Sequence, residues 1–164
     1  MDLTNIYAAQ KALDSLIFKN LPEGYDPESY YGVEDRNFAF QVEVMEFANE
    51  LEFFKYWKHN RDKTRERKLS ELADCIHLST SIAITRGYDK LIDGVVYDIY
   101  YKDMPLIELF NIIRKRDIDS MQSYKLVMML LLSIAEKVGF TEKEVYDAYM
   151  LKNKENHERQ VNNY

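Results

Sequence analysis

Two short stretches decide the fold: QVEVMEFANELEFFKYW over Gln41–Trp57 and SELADCIHL over Ser70–Leu78. In the first, Glu43 and Glu46 stand three positions apart, and in the second Glu71 and Asp74 do the same. On a helix that spacing leaves the Cβ atoms about 5–6 Å apart on one face, so each couple acts as a pair of carboxylates. Glu46 and Asp74 are both fourteen residues from Asn60. A basic connector over His59–Lys68 suits a turn between antiparallel helices, and at about 1.5 Å per residue the two acidic pairs come level across it.

Four carboxylates in a partly dry cleft repel one another unless a cation sits among them. Hard oxygen ligands suit magnesium, which binds through a few carboxylates together with substrate phosphates. A solvated glutamate row is the ordinary alternative for Glu43, Glu46 and Glu50. Against it stands the apolar pattern of the first stretch. Phe40, Val44, Phe47, Leu51 and Phe54 share one helical face and Phe38, Val42, Met45, Phe53 and Tyr56 the opposite one, which predicts a helix sandwiched between neighbours with its acids lining an internal cleft. His77 on the apolar second helix reads as a packed, hydrogen-bonded residue and is not made a metal ligand.

Outward from this hairpin the chain reads as helix between breakers. Helices are expected near Leu3–Lys19, Arg36–Lys58, Glu66–Arg86, Pro105–Lys115, Ser120–Val138 and Glu142–Gln160, with no alternating strand pattern long enough for a sheet. Thr141 followed by Glu144 is a capping box that starts the last helix. The expected fold is an all-α bundle of about six helices in a single domain over residues 1–164, with the acidic hairpin at its core. LVMMLLLSIA over Leu126–Ala135 is apolar nearly all round, so that helix is either central to the core or shared across an interface.

Composition removes several classes. The 164 residues carry a net charge of −6, which disfavours a protein that grips nucleic-acid polymers by their phosphates. The single cysteine, Cys75, rules out an internal disulfide and a thiolate cluster. The N-terminus lacks the pattern of a signal peptide, and no apolar run reaches the roughly 20 residues that span a bilayer. A soluble, cytoplasmic protein without membrane contact is expected, in the host cytoplasm if the source is viral.

The order ExxE, a gap, then ExxD resembles the all-α nucleoside triphosphate pyrophosphatases, the group that contains MazG-like enzymes. EVMEFANELEFFKYW, with Asn49, Glu50, Lys55 and Trp57, and ELADCIHL are similar to the two halves of the dimeric dUTPase version. QKALD near the N-terminus and YMLKNKENHERQ near the C-terminus, followed by Tyr164, resemble that family's outer segments. The resemblance implies hydrolysis of dUTP to dUMP and pyrophosphate by metal-activated water attacking the α-phosphorus, in a homodimer. It implies magnesium, more than one ion per site, with manganese as the alternative.

Carried over in this numbering, Glu43, Glu46, Glu71 and Asp74 are the expected metal ligands and Glu50 a further one, with Glu43 or Glu46 also orienting or deprotonating the water. Lys152, Asn156 and Arg159, on one face of the last helix, are expected at the phosphates with Lys55 helping. Gln10 is expected at the uracil edge, with Asn49, Trp57 and His77 bordering the substrate; core packing is the rival role for Trp57. Two other readings stand beside this one. The first is a related pyrophosphatase for dCTP or non-canonical nucleotides. The second is a helical interaction module whose protein partner docks on the tyrosine-rich connector of Tyr97, Tyr100 and Tyr101.

Overall fold

The structure, a computed structural model, describes residues 1–90 and 99–162, with backbone only at 99 and 100. Tyr97, the side chain of Tyr100 and Tyr164 lie outside the described residues, so the connector reading is not addressed by them. Seven α-helices occur among the described residues: α1 (Thr4–Lys19), α2 (Tyr30–Leu51), α3 (Arg65–Thr85), the single turn α4 (Ile99–Lys102), α5 (Leu106–Ile113), α6 (Met121–Lys137) and α7 (Glu142–Val161). There is no strand among them. None of the helices is long and apolar enough to cross a membrane.

α3 lies at the centre, against α1, α2, α6 and α7. Apart from His77, its buried side chains are small or aliphatic, from Leu72, Ala73, Cys75 and Ile76 to Ile82 and Ala83, which lets four helices approach it closely. α6 is the other core helix. Val127, Met128, Leu130, Leu131, Leu132, Ile134 and Ala135 are all fully covered inside this one chain; the helix is therefore core, and no interface is needed to cover it. Thr141 caps α7 as expected, with Glu144 returning to the Thr141 amide at 2.8 Å. Glu144 also takes Arg65 from the start of α3 at 2.7 and 2.8 Å, tying the beginnings of two helices together.

α2 departs from the expected Arg36–Lys58 at both ends. It starts six residues earlier because Ser29 caps it, accepting the Gly32 amide at 3.1 Å. Glu34, Asp35 and Arg36 are thus inside the helix. Arg36 bonds Ser81 Oγ at 3.0 Å and Thr85 Oγ1 at 2.9 Å, and its guanidinium lies over Phe18. Gly32 is needed there for space: a Cβ would stand 2.4 Å from the Asp26 carbonyl oxygen and 2.7 Å from Pro27 Cα.

At the other end α2 stops at Leu51 because Glu52 turns left-handed, with φ of 55°. Its buried carboxylate is clamped by Lys58 at 2.8 Å and Lys55 at 3.1 Å, and the Lys58 hydrogen bond holds it below the usual carboxylate range. The sandwiched-helix expectation is half corrected. Phe40, Val44, Phe47 and Leu51 are buried, but Phe38 is 75% exposed and Val42 and Met45 over 40%. Phe53, Phe54 and Tyr56 fall beyond the helix end and belong to neither face.

Candidate functional site

α2 and α3 form the expected antiparallel hairpin, and it gathers the acids. Carboxylate oxygens of Glu43, Glu46 and Glu71 lie within 4.8 Å of one another. Glu43 and Glu71 are half-buried and Glu46 is exposed, so the cluster has one wet side. Burial, followed by repulsion from Asp74, Glu46 and Glu71, pushes the Glu43 carboxyl up to about 7. Burial also raises Glu71, with Asp74 and Glu46 adding to it.

Asp74, on the next turn of α3, is close enough to raise Glu43 and Glu71 but lies outside the group within 4.8 Å, and one of its oxygens faces α7. Lys152 Nζ is 2.6 Å from Asp74 Oδ2 and 3.2 Å from Ser70 Oγ. Burial still raises the Asp74 carboxyl, and Lys152 opposes the rise. Glu50, one turn beyond Glu46, is buried and takes Lys63 at 3.1 Å and Arg67 at 3.2 Å on Oε1. Its Oε2 is buried without a hydrogen-bond partner. An orphaned carboxylate oxygen beside three crowded carboxylates is a donor set short of a hard cation, so these residues fit the divalent metal that the sequence implies.

Compared with known protein families, residues 2–164 match the dUTPase model. The chain belongs to the dUTPase family. Its enzymes hydrolyse dUTP, and this chain is an enzyme of that reaction. A comparison with curated individual proteins gave no match.

Against the dUTPase assignment, the remaining predicted residues divide. Lys152 is at the acids, and Arg159 is close enough to lower Asp74. Asn156 sits beside Arg159, its Oδ1 3.5 Å from the guanidinium. Lys55 is not at the acids. It lies past the end of α2, on Glu52 and the Asn49 carbonyl at 3.4 Å, because the helix that was to carry it ends at Leu51. Trp57 is 61% exposed and packs edge-on against Phe54 and Tyr56, so it is not core. Asn49 is exposed on α2.

Gln10 and His77 are internal. Gln10 Nε2 donates to Asp14 Oδ1 at 2.8 Å, which makes Gln10 Oε1 the acceptor for Tyr149 Oη at 2.8 Å and His77 Nδ1 at 2.7 Å. Burial lowers His77 to about 4, and its two ring nitrogens face Gln10 Oε1 and, at 3.3 Å, the Tyr149 carbonyl oxygen. Tyr149 stacks on it with ring centres 4.1 Å apart. His77 is thus packed and hydrogen-bonded, as expected for a residue that is not a ligand.

Ser70, Lys63 and Arg67 were not anticipated. Ser70 had a signal, since it precedes Asp74 by four and shares its face; Lys63 and Arg67 had none beyond belonging to a basic connector. A groove of about 470 Å³ lies between α3 and α7, with Leu69, Ala148 and Leu151, the cations Arg67 and Lys152, and the carboxylates Glu66, Glu144, Asp147 and Glu155 in its lining. It gives a substrate room beside Lys152.

Proposed function

We propose that this dUTPase-family chain hydrolyses dUTP to dUMP and pyrophosphate in a magnesium-dependent reaction centred on Glu43, Glu46, Glu71 and Asp74. The observation that carries this reading is the crowding of three carboxylates within 4.8 Å beside a lysine of α7. When bound, magnesium neutralises charge on the phosphates and acidifies water for attack at the α-phosphorus. Glu43, Glu46, Glu71 and Asp74 would hold the ions, and Glu50 would add its unpartnered Oε2. Manganese satisfies the same oxygen donors.

The chain's own residues do the rest. Glu46, on the wet side of the cluster, orients the attacking water and takes its proton, because an exposed carboxylate is the one that water reaches. Lys152 leaves Asp74 for a phosphate oxygen, joined by Asn156 and Arg159, whose planar fork suits bidentate contact. For the nucleoside, Gln10, Asn49, Trp57 and His77 remain the proposed contacts. Gln10 Oε1 is already taken by Tyr149 and His77, so a base edge would meet the second Nε2 hydrogen or displace one of those two partners.

A homodimer fits the exposed strip of Phe38, Val42 and Met45 on α2, which borders the acidic strip and would shield it once covered. Cytoplasmic location accompanies this reading. The test is turnover of purified protein with a panel of nucleotides compared by kcat/KM. dUTP is expected to lead, with dUMP and pyrophosphate as products. A lead by dCTP or a damaged nucleotide would move the assignment to a related pyrophosphatase, and no turnover with any triphosphate would overturn it.

A further inference from the structure

A second hollow of about 470 Å³ lies where the hairpin connector meets the starts of α3 and α5 and the turn between α6 and α7. Its rim carries Arg61, Lys63, Arg65 and Lys68, and no carboxylate lines it. In a chain with 28 acidic and 22 basic residues, four cations around one hollow are a segregation of charge. Lys63 and Arg65 are held by carboxylates behind them, Glu50 and Glu144. The side chains of Arg61 and Lys68 have no ion-pair partner among the described residues.

The floor has a different character. Leu51, Phe53, Leu106, Val138 and Phe140 make it apolar, and its two rings are fixed. Phe53 stacks on Phe110 with centres 5.1 Å apart, and Phe140 lies 4.7 Å under the Arg65 guanidinium. An inorganic anion would use the rim and leave the floor wet. An apolar molecule would strip water from four cations and pair none of them. A ligand that satisfies both has a polyanionic head on a flat apolar body.

We propose that this hollow is a second nucleotide site, with phosphates on Arg61, Lys63 and Lys68 and the base against the apolar floor. It needs no divalent ion, since the protein supplies the countercharge, and it stands whatever the acid cluster hydrolyses. Lys63 is shared with the first site through Glu50, so a phosphate here competes with Glu50 for that lysine.

Isothermal titration of the purified protein with ATP in excess EDTA isolates this hollow, because a metal-free acid cluster repels polyphosphate. Saturable binding with Kd below about 1 mM is expected. The doubly substituted Arg61→Ala/Lys68→Ala protein should bind at least about tenfold more weakly with an unchanged melting curve, while Lys152→Ala should bind as wild type. Absence of binding in EDTA, or equal loss in Lys152→Ala, would overturn the proposal. Tripolyphosphate binding as tightly as ATP would overturn the assignment to a nucleotide.

Discussion

Replacing Glu43 by glutamine should stabilise the metal-free protein at alkaline pH. The folded chain raises this carboxyl from 4.5 to about 7, so between those values the folded state holds a proton that the unfolded chain has released. Stability therefore falls as pH rises through that window, and the whole cost is present above it. Raising this carboxyl from 4.5 to about 7 corresponds to roughly 3 kcal/mol of differential interaction between its two protonation states. Solvent screening of this half-buried group reduces that to about 1–2 kcal/mol, or about 3–6 °C in Tm for a chain of this length.

Thermal melts followed by circular dichroism at pH 5 and pH 8, in EDTA, measure the effect. Wild type should lose more stability than Glu43→Gln between the two pH values, and the variant should melt higher at pH 8. Added magnesium should reverse the order, because the wild-type cluster gains a cation and the variant has lost a ligand. A variant that melts at or below wild type at pH 8 in EDTA, with the same pH dependence, would refute the claim that like-charge crowding is stored at this position.

Lys152→Met should tighten magnesium binding by about tenfold in a direct titration, since it removes the cation that now holds Asp74, and the gain should vanish in an Asp74→Asn background. The same variant should raise KM for dUTP. Gly32→Ala should lower Tm by several degrees, corresponding to about 1–3 kcal/mol, because its Cβ has backbone atoms of Asp26 and Pro27 in its place; an unchanged melt would contradict the close approach. Wild type should be a dimer by light scattering at micromolar concentration, and Phe38→Asp combined with Met45→Glu should be a monomer; a monomeric wild type would refute the dimer, and a persistent dimer in the variant would exclude the α2 strip as the interface.

Much of the site was legible because it depends on spacing. Pairs three apart and a turn equidistant from Glu46 and Asp74 were enough to bring the acids level, and the Thr141–Glu144 box set the start of α7. Periodicity alone could not tell what covers a face, so Phe38, Val42 and Met45 were read as sandwiched although they are exposed in this chain. It also ran α2 past Leu51, because a non-glycine left-handed stop at Glu52 depends on Lys55 and Lys58 folding back onto one carboxylate. The family resemblance is what points Gln10 to the base edge. The engagement of Gln10 with Asp14, His77 and Tyr149 is set by how α1, α3 and α7 pack, which no local pattern encodes. The basic hollow was hidden for the same reason, since its cations come from the connector and the start of α3 and its floor from the end of α2, the start of α5 and the turn between α6 and α7.

The central claim is that the acids of the α2–α3 hairpin carry dUTP hydrolysis, and Glu46→Gln tests it most directly because Glu46 is exposed and its loss should leave the fold intact. With dUTP at saturating magnesium, kcat should fall at least about a hundredfold, with the melting curve preserved. Full activity in that variant would contradict the account.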